Sequence, residues 1–156
     1  MNVCNTTYIA FLVCVLSVSV GCKNVEQVTT QSESKSSSRL FHVTAPPLEV
    51  LANEKTTAQL SLKAVSPWKI NAEYPTKLQL ENAATETHFS TEKLSFGGSD
   101  IAVKASKATV SIPLRGESPG ESTLKGTLKF SLCRADQCIL RESSVAWNIR
   151  VSDPAR

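Results

Sequence analysis

The stretch Leu124-Lys125-Gly126-Thr127-Leu128-Lys129-Phe130-Ser131-Leu132-Cys133-Arg134-Ala135-Asp136-Gln137-Cys138-Ile139-Leu140 decides how this chain folds. Leu124, Leu128, Phe130 and Leu132 fall on every second position, with Gly126 in register. Successive side chains of a strand point to opposite faces, so this alternation describes a strand with one face buried. Cys133 then falls on the opposite, more exposed face, together with Lys129 and Ser131. The residues Arg134 to Gln137 are read as a four-residue loop, a common hairpin length, closed by Cys133 and Cys138. Directly opposed residues of an antiparallel pair stand about 4.5–5.5 Å apart at Cα, within the reach of a disulfide.

The same period of two extends outward from the hairpin. Ala58, Leu60, Leu62 and Ala64 alternate with Gln59, Ser61 and Lys63. Leu78 and Leu80 follow the pattern, as do Ala108, Val110, Ile112 and Leu114, and then Val145, Trp147, Ile149 and Val151. Pro46-Pro47, Ser66-Pro67, Tyr74-Pro75, Gly97-Gly98 and the polar loop from Gly116 to Gly120 punctuate these runs with turn chemistry. No stretch of ten residues shows a helical stripe. The expected fold is all-β, an immunoglobulin-like antiparallel β-sandwich of seven to nine strands spanning residues 40–156. A small barrel is the alternative.

The first 22 residues differ from the rest. Val3 to Val20 is uncharged and rich in Ile, Leu, Val, Phe and Ala, which fits a secretory signal peptide over residues 1–21. An uncleaved membrane anchor is the competing reading, since the run approaches spanning length. Ser19-Val20-Gly21-Cys22 resembles a bacterial lipoprotein box, with Ser19 where an aliphatic residue is usual and with no Lys or Arg at the head of the signal. That resemblance implies lipidation of Cys22 and a location at the bacterial cell envelope, with the domain facing the periplasm or exterior. From Lys23 to Arg39 the chain is polar and charged except for Val25 and Val28. Such a segment buries too little apolar surface to offset its ordering entropy, so residues 22–39 are expected to be a disordered tether of about 23 Å root-mean-square reach.

Every charged residue follows position 22, and the net charge of +3 is too small and too evenly spread to argue for nucleic acid. Of the five cysteines, Cys4 and Cys14 would leave with the signal and Cys22 would be acylated, so Cys133 and Cys138 remain as a pair. An exported compartment permits them to pair. A plain hairpin staple is one outcome. A bridge closing six residues stabilises by about 2 kcal/mol, against about 3 kcal/mol for a fifteen-residue loop. The absence of a long-range bridge between strands favours a bridge that opens. Arg134 favours a Cys133 thiolate and Asp136 opposes it, so local charge does not decide.

The segment Cys133-Arg134-Ala135-Asp136-Gln137-Cys138-Ile139-Leu140 resembles the cysteine hairpin of the amino-terminal periplasmic domain of the thiol–disulfide reductase DsbD and its stand-alone relatives. Trp68-Lys69-Ile70-Asn71-Ala72-Glu73-Tyr74-Pro75 resembles the same family's aromatic-His-Ile-Asn segment followed by Pro, with Lys69 in place of His. The Pro that often follows the second cysteine is also missing. The resemblance runs from about Leu48 to Val151. It implies an immunoglobulin-like fold in which Cys133 and Cys138 relay electrons to periplasmic or envelope proteins, with Cys138 forming the mixed disulfide. A full relay would require a separate reductant.

Other signals point nowhere specific. His42 and His88 could join the cysteines at a soft metal, yet no zinc-type spacing links them and Met1 is the single methionine, so no metal is assigned. Phe96-Gly97-Gly98-Ser99-Asp100 is no nucleophile elbow and reads as a turn beside a buried Phe96. No dinucleotide or phosphate fingerprint is present, and no cofactor is expected. Trp68 and Trp147 read as core. The leading functional expectation is disulfide exchange with protein partners, on a domain held to a membrane by lipid. The rival is a non-catalytic envelope interaction module with a static bridge.

Overall fold

The structure, a computed structural model, describes the backbone of residues 34–37 and the full residues 39–81 and 87–154. The signal, Cys22 and most of the expected tether lie outside the described residues. Among the described residues twelve strands follow in chain order: β1 Ser34–Ser37, β2 Phe41–Ala45, β3 Leu48–Leu51, β4 Lys55–Ala64, β5 Lys69–Ile70, β6 Lys77–Leu80, β7 Phe89–Ser90, β8 Ser95–Gly97, β9 Ile101–Lys104, β10 Lys107–Gly116, β11 Gly120–Arg134 and β12 Gln137–Ser152. The fold is an immunoglobulin-like β-sandwich, as expected from the alternation. The strand number exceeds seven to nine because segments of only two or three residues, β5, β7 and β8, also pair, and these are too brief to show periodicity. Ser34–Ser37, inside the segment read as a tether, adds an edge strand antiparallel to β2. Pairing of that kind is made by main-chain groups and leaves no apolar pattern to read.

One sheet runs in the order β1-β2-β4-β10, with β9 and β7 both pairing along the far side of β10. The other runs β3-β12-β11-β6-β8, and β5 also pairs with β11. All pairs are antiparallel except β3 with β12. The inward positions are those the alternation picked out: Ala58, Leu60, Leu62 and Ala64 on β4, Ala108 to Leu114 on β10, Leu124 to Leu132 on β11, and Val145 to Val151 on β12 are all buried. At about 25 cal/mol per Å² of apolar area, this shared interior is the main force holding the sheets together.

Two contacts join the sheets across that interior. The Phe41 ring meets the Phe130 ring edge-on, centroids 4.9 Å apart. Trp147 on β12 is fully buried and its indole N–H donates to the Gln59 carbonyl on β4 at 3.1 Å, so its one polar atom is satisfied. At one margin, Asn53 N–H donates to the Gly116 carbonyl at 2.8 Å and Gly116 N–H to the Glu54 carbonyl at 3.0 Å. No room is left there for a side chain, because a Cβ on Gly116 would lie 2.5 Å from the Leu51 carbonyl oxygen.

Candidate functional site

The long β11–β12 hairpin carries both cysteines to its tip. Pairing is continuous from Gly120 with Val151 to Arg134 with Gln137, so the loop is only Ala135 and Asp136, two residues shorter than expected. Ala135 adopts a positive φ of 43°, as a tight hairpin turn requires. Cys133 and Cys138 are direct cross-strand partners one pair in from the turn, and they form a disulfide with Cα atoms 4.1 Å apart. Cys138 is exposed and Cys133 half-buried.

The difference in exposure has a structural cause. β5 lies along the other side of β11, pairing Lys69 with Cys133 and Ile70 with Leu132. Asn71 N–H then donates to the Ser131 carbonyl at 3.0 Å. This segment covers the last residues of β11 and leaves β12 open. It also corrects one expectation: Ser131 is not on an exposed stretch but only 2% accessible. Alternation predicted its face correctly, but a third strand beside it cannot be read from β11 alone.

The immediate surroundings combine charge and apolar surface. The Arg134 guanidinium sits over the Trp68 ring, 4.8 Å from its centre, and donates to Gln137 Oε1 at 3.4 Å. Lys69 is exposed beside Cys133. Two residues from Cys138 on the same face of β12, Leu140 is 61% exposed. Next along the hairpin, Lys129 and Glu142 are cross-strand partners with an ion pair of 3.2 Å, both well exposed, a pair worth little in water. The sequence suggests Arg134 only as a charge beside Cys133, not its seat on the Trp68 ring, and it does not announce the exposure of Leu140. A single Leu in an alternating strand gives no sign that its face is unpartnered.

The remaining candidates do not join the bridge. His42 stands on β2 and lines a groove of about 620 Å³ together with Lys63, Trp68 and Lys69. His88 lies against Gly120, at the opposite end of β11 from Cys133, with Nδ1 3.0 Å from Ser118 Oγ. Among the described residues no three His, Cys, Asp or Glu side chains converge on one point. Phe96 is buried on β8, and Trp68, at 7% accessible, belongs to the core beneath Arg134. Chemically, the site offers a disulfide between one exposed and one half-buried cysteine, and a tight hairpin that holds them in register.

No protein-family model matches the chain, and no curated protein is similar to it in sequence. Solved structures with a similar fold include an ASH/PapD-like domain of human CEP192, at 12% identity over 91% of this chain and 100% of that one, TM-score 0.40. The N-terminal periplasmic domain of ScsB from Proteus mirabilis matches at 18% identity over 74% of this chain and 51% of that one, TM-score 0.38. The seventh ScaB type I cohesin from Pseudobacteroides cellulosolvens matches at 14% identity, over 72% and 92%, TM-score 0.40. Identities of 18% or less and TM-scores of 0.40 or less say nothing of function. No helix among the described residues is long and apolar enough to cross a membrane.

Proposed function

We propose that this chain is an exported domain, anchored to the bacterial cell envelope through lipid on Cys22, that exchanges disulfides with envelope proteins through Cys133 and Cys138. The observation that carries the reading is the unequal exposure of the two bridged cysteine residues at a hairpin tip. A partner thiolate attacks the exposed Cys138 Sγ along the S–S axis. The intramolecular bond breaks, a new Cys138–partner disulfide forms, and Cys133 leaves as the thiolate, taking the electron pair. Cys133 can then attack Cys138 Sγ and release the partner thiol, or a second partner thiol can complete the reduction. The register of β11 and β12 holds Cys133 opposite Cys138 throughout, so the return step needs no search.

Neither cysteine belongs to the buried core, and the strands beside them are paired by main-chain hydrogen bonds that do not depend on the bridge. The bridge can therefore open without dismantling the sandwich. The resemblance of the hairpin and of the Trp68–Pro75 segment to the DsbD amino-terminal domain points the same way.

Equilibrating the domain with glutathione buffers tests the reading. A potential near about −200 mV is expected of an exchanger, whereas one below about −300 mV identifies a static bridge and removes the proposal. Replacing Cys133 with Ala should leave Cys138 able to trap partners in mixed disulfides in the envelope, and Cys138→Ala should trap far fewer. Mass spectrometry of the mature N-terminus checks the anchor: a diacylated or triacylated Cys22 is expected.

A further inference from the structure

Three lysines and a histidine line up across the sheet that does not carry the bridge. Lys63 on β4 is directly opposed to His42 on β2 and to Lys107 on β10, and Lys107 is opposed to Lys104 on β9. Opposed residues share a face, so the four form one row, with neighbouring strands about 4.8 Å apart. Lys63, Lys104 and Lys107 are exposed. Like charges set directly opposite one another weaken a sheet. Among the described residues, the ion pairs found are Lys93 with Asp100, Lys129 with Glu142 and Arg150 with Glu121, and none takes a lysine of this row.

His42 and Lys63 of the row line the groove of about 620 Å³ described above, together with Trp68 and Lys69. Lys69 is the cross-strand partner of Cys133, and the Trp68 ring supports Arg134. A bound chain following the groove would thus pass from the lysine row to within one strand spacing of the disulfide. Cations this close act together, since their spacing is below the screening length of about 8 Å at physiological salt.

We infer that this row and groove dock an acidic polypeptide segment of the protein that exchanges with Cys138. The inference rests on the exchange reading above and specifies its partner. The charge of the row selects the occupant. The chain's own segment 23–39 is no complement, because it carries Lys23, Lys35 and Arg39 against Glu26 and Glu33. A lipid surface would meet the flat row, but it would not enter a concavity that leads to the bridge. Docking there raises the local concentration of the partner thiolate at Cys138 Sγ; the thiolate forms the Cys138–partner disulfide as Cys133 leaves as thiolate.

The probes are three ten-residue peptides with one central Cys: one of Asp, Glu and Ser, one with Asn and Gln in place of the acids, and one with Lys in their place. Mixed-disulfide formation with the oxidised protein is followed by mass spectrometry. At low salt the acidic peptide should react about tenfold faster than the neutral one, the lysine peptide slower than either. The advantage should vanish at about 0.5 M salt, where the screening length falls to about 4 Å. Lys63→Glu should abolish it, while Lys125→Glu, the same charge change on an exposed site of β11, should retain it. Equal rates for the acidic and neutral peptides would overturn the inference, as would equal losses in the two variants. Vesicles of phosphatidylglycerol that bind through Lys63 without any peptide preference would also overturn it and would reassign the row to a membrane. If even the neutral thiol 2-mercaptoethanol fails to open the bridge, the exchange reading itself falls, and the docking inference with it. If 2-mercaptoethanol opens the bridge and peptide charge has no effect, the docking inference alone is lost.

Discussion

Removing the bridge should cost little stability, and the size of that cost distinguishes an exchanging bridge from a structural one. Cys133 and Cys138 are separated by five positions, so the disulfide closes a loop of six residues. Loop-closure entropy for six residues amounts to about 2 kcal/mol at 25 °C. The structure makes this an upper value. The pairs on both sides of the bridge, Leu132 with Ile139 and Arg134 with Gln137, already hold the hairpin, and the core beneath it contains neither sulfur. The double variant Cys133→Ala, Cys138→Ala should therefore remain folded. Its urea midpoint should fall by about 1 M with an unchanged slope, and its thermal midpoint by roughly 8 °C. Far-ultraviolet circular dichroism should keep its β-sheet signal, and the oxidised chain treated with reductant should match the variant. An unfolded variant, or a loss above about 4 kcal/mol, would show that the sandwich depends on the bridge. A bridge that opens in each working cycle would then be untenable.

Three further outcomes follow from particular contacts. Trp147→Phe removes the N–H that reaches the Gln59 carbonyl between the sheets and leaves a void in a fully buried site, so denaturant titration should show a loss of about 2–3 kcal/mol. Gly116→Ala places a methyl 2.5 Å from the Leu51 carbonyl oxygen, where only backbone can yield, and the same titration should show about 1–3 kcal/mol lost. Asp100 is held below its ordinary value of 3.8, first by the Lys93 ammonium that donates to both of its oxygens and next by the Gly97 N–H. A carboxyl whose folded pKa lies below its unfolded one stabilises above the unfolded value and loses that effect as pH falls through the folded value. Stability measured against pH should accordingly fall more steeply below 3.8 for the natural protein than for Asp100→Asn. The difference should shrink in high salt, because the pair is exposed.

Much of the sandwich was legible because alternation is a local property. Leu60, Ile112, Phe130 and Trp147 each announce a buried face through their neighbours two positions away, and all four are buried. The opposition of Cys133 and Cys138 was legible from the short loop between them, although that loop is two residues rather than the four expected. The short strands β5, β7 and β8 were not, since two or three residues carry no period. The burial of Ser131 was not legible either, because it depends on Asn71, sixty positions earlier, arriving beside it.

From the amino-acid order alone came the fold class, the inward faces of the long strands and the opposition of the two sulfurs, since each depends on residues close together in the chain. Tertiary structure alone decided that Cys138 is the more exposed cysteine, what covers Cys133, and that His42, Lys63, Lys104 and Lys107 form one row across the other sheet. Those features arise from strands that meet only on folding, when main-chain pairing and burial of the shared core choose neighbours that no local pattern specifies.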